Sequence, residues 1–243
     1  MIREELSRQL DHDPNFRWRG EAVTRIENLS DIVFALALGM LVSASTPPGN
    51  FEALRLHFLN IFPVAAGFAL LLAIWNAHFT FFRRYGVADG RIIFLNAALL
   101  LVILFFAYPL RLIFDSLLAF ILGLGGDWTR MTSLGLPTYA DAGVLMGYYC
   151  VGYGLVYLLI QSMYAHALRR ADHMGLSASE RVMTLRSIWK HRTHVLLSGV
   201  VGVLAVWTPM GPMAGALFGL IWPIAVFVEA RLKLPPEGDT AVS

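Results

Sequence analysis

Charge-free stretches divide this chain more clearly than any motif does. Residues 32–51, 56–82, 92–110, 142–168 and 193–228 contain no Asp, Glu, Lys or Arg, and about 20 apolar residues cross a bilayer as a helix. The first four stretches each predict one helix. The last is interrupted by Thr208-Pro209-Met210-Gly211-Pro212, whose prolines and glycine predict a turn between two helices. The pattern predicts an all-α, polytopic membrane protein with six transmembrane helices over about residues 24–45, 54–83, 91–120, 141–170, 188–207 and 212–231. The third helix is expected to continue past Arg111 and Asp115, which at i,i+4 can neutralise each other on one face. Residues 1–23 form an N-terminal segment, 24–231 the transmembrane domain and 232–243 a tail, with no soluble domain of any size.

Composition agrees with the pattern. Only 15% of residues are charged, 57% are hydrophobic and the mean hydropathy is +0.61, against about 25% charged residues in soluble domains. The net charge of +2 is too small to suggest nucleic acid as a partner. Cys150 is alone, so no intrachain disulfide forms. The acidic residues Glu4, Glu5, Asp11, Asp13 and Glu21, interleaved with arginines, leave no apolar core for a cleaved leader. An intramembrane enzyme would need a catalytic set within the spans. Asp31 with His78 is too little for that, so no catalytic residue, metal site or cofactor is assigned.

Basic residues orient the helices. Of the 19 Lys and Arg residues, 16 fall in the N-terminal segment, the 2–3 loop, the 4–5 loop and the tail; only Arg55, Arg111 and Arg130 remain for the other side. The positive-inside bias then places both termini in the cytoplasm. The longest outer connection, from about residue 123 to 139, reads as an interfacial loop with aromatic anchors.

With that topology, depth follows from spacing. Asp31 lies six residues after Arg25, His78 five before Arg83 and Asn96 five after Arg91. At about 1.5 Å per residue, all three sit roughly 7–9 Å inside the cytoplasmic border. Ionisable groups at that depth need partners or a water-filled path. Ser30, Asp31, His78, Asn96 and the Trp75 indole are therefore expected to satisfy one another across three helices, with Arg25 reaching down to Asp31 on its long stem. Each has a plainer reading as well: Asp31 with Arg25 as a helix-start charge pair, and His78 as a satisfied interfacial histidine. His191 and His194, at i,i+3 without carboxylates or Cys nearby, read as interface chemistry rather than a metal site. Gly143 with Gly147, and Gly211, Gly215 and Gly219, read as close helix-packing positions.

The string Arg25-Ile-Glu-Asn-Leu29-Ser30-Asp31 resembles a family motif, namely Arg, three residues, then Phe-Ser-Asp on the first span of the transmembrane protein 175 (endolysosomal potassium channel) family. Trp75-Asn-Ala-His78-Phe79 resembles that family's second-span pattern and Leu95-Asn96-Ala97 its third. The resemblance covers about residues 20–115 and implies a bacterial homologue in which each subunit carries one six-helix repeat and four subunits form a homotetramer in the bacterial inner membrane. It further implies a pore lined by the first helix and closed by apolar rings, a recognised way to gate by dewetting. On this chain those positions are Leu36, Gly39, Met40 and Ser43, while Arg25, Ser30, Asp31, Trp75, His78 and Asn96 hold the pore helix in place. Two departures stand out: Leu29 replaces Phe, and Gly39 stands about where relatives often offer Thr. The expected function is a potassium-permeable channel open to other monovalent cations, with selectivity weakened by the missing hydroxyl. A structural membrane subunit and a secondary transporter are the alternatives; the latter should show paired internal repeats, and none is convincing here.

Overall fold

In a computed structural model, residues 16–20, 22–43, 49–51, 54, 57–58, 61–136 and 138–235 are described, and among them the chain is all-α, with no strand. Arg55, most of the segment 1–23 and the tail beyond residue 235 lie outside the described residues. Seven α-helices follow in order: α1 (Arg25–Ser43), α2 (Ile61–Tyr85), α3 (Gly90–Leu124), α4 (Thr129–Ser133), α5 (Tyr139–Arg169), α6 (Ala178–Trp207) and α7 (Ile221–Arg231). A 3-10 helix, Gly211–Leu220, leads into α7. Among the described residues, five segments are long and apolar enough to cross a membrane: α1, α2, α3, α5 and Gly211–Arg231. The predicted span 188–207 lies within α6. Glu180, Arg181, Arg186, Lys190 and Arg192 crowd the first half of that helix, so its charge-free part begins only at Thr193.

Local chemistry sets the helix starts. Thr24 and Glu27 form a capping box at α1: the Thr24 N–H donates to the Glu27 carboxylate at 3.0 Å, and the Glu27 N–H donates to the Thr24 hydroxyl at 3.3 Å. Thr138 with Asp141 and Ser177 with Glu180 repeat the device at α5 and α6. Asp89 caps α3 by accepting from the Arg91 and Ile92 N–H groups at 3.1 and 3.0 Å. Each cap satisfies donors that a helix start otherwise leaves open.

The helices pack in two groups. Among the described elements α1 touches only α2 and α3, whereas α5 and α6 form the most extensive pair; α5 joins the groups by packing on α3 and α2. The main core runs through both, with Leu41, Phe81, Phe82, Ile92, Leu99, Ile103, Ile160 and Met163 all buried. Close approach of α5 and α6 needs small residues: a Cβ on Gly143 would stand 2.3 Å from the Ala205 carbonyl oxygen, and one on Gly147 2.6 Å from Val206. The second glycine series behaves differently. Gly211 adopts φ +49°, a conformation other residues seldom take, and a Cβ there would strike the Tyr139 ring. Gly219 has nothing nearby. The predicted helix 212–231 thus begins as a three-residue-per-turn segment, because Pro212 and closely spaced glycines weaken α-helix there.

One expected pairing is replaced. Asp115 does not turn to Arg111; it accepts from the Arg130 Nε at 2.8 Å, which ties α4 to the far end of α3. Trp128, two residues before Arg130, lies against Gly123. The described part of the N-terminal segment docks rather than trailing free. Phe16 is buried against Tyr85, the Arg19 and Gly20 N–H groups donate to the Arg83 carbonyl at 3.1 Å, and the Arg19 guanidinium grips both oxygens of Glu180 at 2.8 Å.

This clamp carries a pH dependence. Burial alone would raise the Glu180 pKa, but hydrogen bonds from Arg19, Ser177 and Arg17 hold it below the usual 4.5. Stability from a carboxylate held low is present above its unfolded value and is lost as pH falls through its folded value. Acidification below about pH 4.5 is therefore expected to loosen the docked segment. Glu180→Gln should lower stability at neutral pH by about 1–3 kcal/mol and flatten the acid limb. Thermal unfolding in detergent, followed through tryptophan fluorescence across pH 3–7, checks both; an acid limb unchanged in Glu180→Gln would assign it to other groups.

Candidate functional site

The first helix has two unlike faces. Glu27, Ser30, Phe34, Ala37 and Leu41 are buried at i, i+3, i+7, i+10 and i+14, so one stripe packs on α2 and α3. The other side holds Leu29, Ile32, Leu36 and Ser43, all exposed, with Leu36 at 54%. Gly39 is exposed, with nothing within 4 Å of the place a Cβ would take, and Met40 is half-buried. Leu38 by contrast packs on the main core. The outward stripe thus extends the predicted positions 36, 39, 40 and 43 by two further turns, to Ile32 and Leu29.

A chain of hydrogen bonds fastens the inner stripe. Ser30 Oγ donates to the Ile26 carbonyl at 2.8 Å, Asn96 Nδ2 donates to Ser30 Oγ at 3.0 Å, and His78 Nε2 meets Asn96 Oδ1 at 2.7 Å. With the Asn96 amide directed to Ser30, its oxygen accepts, so the His78 proton sits on Nε2. Ser30, His78 and Asn96 are buried, and Phe34 and Phe82 flank the imidazole at 5.6 and 4.8 Å between centroids. Three helices are joined by bonds among the buried polar groups, as a water-poor interior demands.

A second set lies nearer the surface. The Trp75 indole N–H donates to Asp31 Oδ1 at 2.8 Å at an exposed position. Trp75 stacks on Phe79 at 5.4 Å, and the Arg83 guanidinium lies 5.3 Å over that same ring. Arg83 donates to Glu27 at 3.0 Å.

The matched-depth residues therefore resolve into a buried trio and an exposed Trp75–Asp31 pair. Arg25 joins neither: it is exposed and makes no ion pair with Asp31. The ion pair that anchors α1 is Glu27–Arg83, which was not expected because Arg83 served in the sequence only as a marker of depth. The Thr24-x-x-Glu27 box was the available signal. His191 and His194 also differ from expectation. Both are buried between α5 and α6, where Tyr153 O–H and His194 Nδ1 lie 2.5 Å apart and Tyr157 stacks on His194 at 4.0 Å. Three tyrosines of α5 facing them account for their burial.

Membrane-length helices, one of them tied to two others by a buried polar chain and otherwise turned outward, define an all-α polytopic membrane protein. The family model for Endosomal/lysosomal potassium channel TMEM175 matches residues 25–106, which covers α1, α2 and the first half of α3. A potassium channel of Marivirga tractuosa is 33% identical over 220 residues, spanning 88% of this chain and 89% of that protein. The crystal structure of a variant of the potassium channel MtTMEM175, bound to a nanobody–MBP fusion, aligns with a TM-score of 0.78 at 31% identity over 91% of this chain and 97% of that one. A lysosomal potassium-selective channel TMEM175 homolog from Chamaesiphon Minutus shares the fold, with a TM-score of 0.54 at 19% identity over 86% and 97% of the two chains. The chain belongs to the TMEM175 potassium-channel family, whose members are ion channels and not enzymes.

The buried trio generates a test. Asn96→Ala leaves His78 and Ser30 without their shared partner and is expected to cost about 1–3 kcal/mol. A double-mutant cycle with His78→Leu should show strong coupling, the double variant being less damaged than the sum of the singles. Additive losses in detergent unfolding would mean the two side chains act separately.

Proposed function

We propose that this chain is a subunit of a homotetrameric, potassium-permeable cation channel whose pore is lined by α1. The observation that carries the reading is the outward stripe of α1, opposite a face fully engaged with α2 and α3. Four copies of that stripe around an axis make successive rings from Leu36, Gly39, Met40 and Ser43. The Leu36 and Met40 rings supply an apolar constriction that resists wetting. Arg25 and Asp31, exposed on the first turns of α1, stand where neighbouring subunits would meet, and the Ser30–Asn96–His78 chain holds each α1 at its angle without touching the ion.

Gly39 offers no hydroxyl to a partly dehydrated ion, so discrimination between potassium and other monovalent cations is modest in this reading. With six spans, the fifth supplied by the apolar half of α6, both termini lie on the cytoplasmic side of a bacterial inner membrane, in keeping with the clustering of basic residues.

Potassium and sodium flux into liposomes holding purified protein tests the pore. Leu36→Ala or Leu36→Ser is expected to raise flux severalfold, whereas Leu38→Ala, packed on the core, leaves the open path unchanged. Gly39→Thr should raise the potassium-to-sodium ratio. Equal responses to Leu36 and Leu38, or flux never above that of empty liposomes, would favour a structural subunit.

Orientation has its own check. A single thiol at Ala241→Cys, in a Cys150→Ala background, is expected to resist impermeant reagents in intact cells and to react in inverted vesicles. Labelling from outside would reverse the proposed topology.

A further inference from the structure

Where the basic ends of α2, α6 and the end of α7 meet, a cleft of about 310 Å³ opens. Its charged lining is Arg84, Arg186, Lys190 and Glu229. Several basic groups on this end of the molecule are matched to carboxylates, Arg19 to Glu180, Arg83 to Glu27, Arg181 to Asp172, and Arg170 with His166 to Asp89, while Arg192 and Arg231 lie over the Trp189 and Phe227 rings instead. Arg186 is held differently. Its Nε donates to the Leu232 carbonyl at 2.8 Å and its Nη2 to the Glu229 carbonyl at 3.2 Å, the open carbonyls at the end of α7. Neutral acceptors thus fix the guanidinium while its charge stays uncompensated. Lys190, one turn on along α6, makes no ion pair among the described residues. Arg84 is oriented into the same space by its 3.2 Å hydrogen bond to Ser187 and by the Phe16 ring 4.8 Å away.

The surroundings specify what the anion is attached to. Met183, Ala225 and Val228 add apolar atoms to the lining, and the last two belong to α7, no residue of which is buried. Trp222, Val226 and Phe227 stand exposed there at 75, 47 and 59%. A fixed guanidinium, an ammonium and a second guanidinium therefore sit at the end of an apolar helix that packs on α6 and leaves these large side chains exposed. Phosphate oxygens suit this donor set, and an acyl chain suits the face below it.

We propose that this cleft binds the phosphate of an anionic phospholipid, with Arg84, Arg186 and Lys190 around the phosphate and the acyl chains along the outer face of α7. The site lies apart from the α1 stripe and does not depend on the pore assignment. Arg186 and Lys190 converge on one cleft without an ion pair among the described residues, and the lipid supplies the negative charge there.

Native mass spectrometry and thermal unfolding of the full-length protein in detergent test this, with phosphatidylglycerol, phosphatidylcholine and inorganic phosphate as probes. Phosphatidylglycerol is expected to be retained and to raise the unfolding midpoint, and phosphatidylcholine to do neither. Lys190→Glu should weaken phosphatidylglycerol binding about fivefold or more, and Lys190→Gln less so, while Arg192→Gln, outside the cleft, leaves it nearly unchanged. Arg186→Gln is the second variant, since it removes a cation yet retains an amide donor toward the α7 carbonyls. Equal losses for Arg192→Gln and Lys190→Gln would reduce the effect to general surface charge and overturn the site. Stabilisation by inorganic phosphate equal to that by phosphatidylglycerol would assign the cleft to a free anion and overturn the lipid. Binding that appears only in Glu237→Gln/Asp239→Asn would make the acidic tail the occupant and overturn it as well.

Discussion

A hydrocarbon interior offers no water to a polar group, and that constraint governs how α1 is held. Three uncharged side chains from three helices form one directed series of hydrogen bonds, each donor meeting one acceptor. Removing the middle member strands both ends, so the series behaves as a unit. The remainder of the first three helices is arranged around it: aromatic rings close over the imidazole, and Glu27–Arg83 seals the boundary with solvent. Ionised groups stay near the surface, and neutral amide, imidazole and hydroxyl groups go deeper. That ordering follows desolvation cost, which is far larger for a charge than for a neutral dipole.

The second group of helices solves a different problem. α5 and α6 approach closely enough that glycines are required at the contact, and their polar content is aromatic and imidazole rather than ionic. The N-terminal segment crosses between the groups, with Phe16 on α2 and Arg19 on α6. One short peptide thus links the helix that carries the outward stripe to a pair that it never touches directly.

Much of this was legible in the sequence because membrane helices announce themselves by charge-free length. The starts of α1, α3 and α5 fell near their predicted places for that reason. Depth arithmetic put Asp31, His78 and Asn96 in one layer, since a straight helix converts residue counts into distance, yet the buried chain takes Ser30, one residue before, in place of Asp31. Rotation is what counts alone do not supply. Arg25 and Glu27 differ by two positions, so they point to different sides of α1, and it is Glu27 that meets Arg83. Likewise Asp115 found Arg130 across a turn that no periodicity describes. The α6 histidines looked interfacial because charged neighbours surround them in sequence, yet the aromatic partners that bury them lie on another helix.

Gly39 offers one more consequence. Beyond its own stretch of helix, no atom lies within 4 Å of the place a Cβ would occupy there, so the packing of this chain is indifferent to what stands at this position. Residues such as Phe34 or Leu41 on the opposite face carry the whole burden of packing and admit few alternatives. An evolving lineage can therefore sample position 39 freely, altering what the outward face presents to its surroundings while the bundle beneath it stays the same.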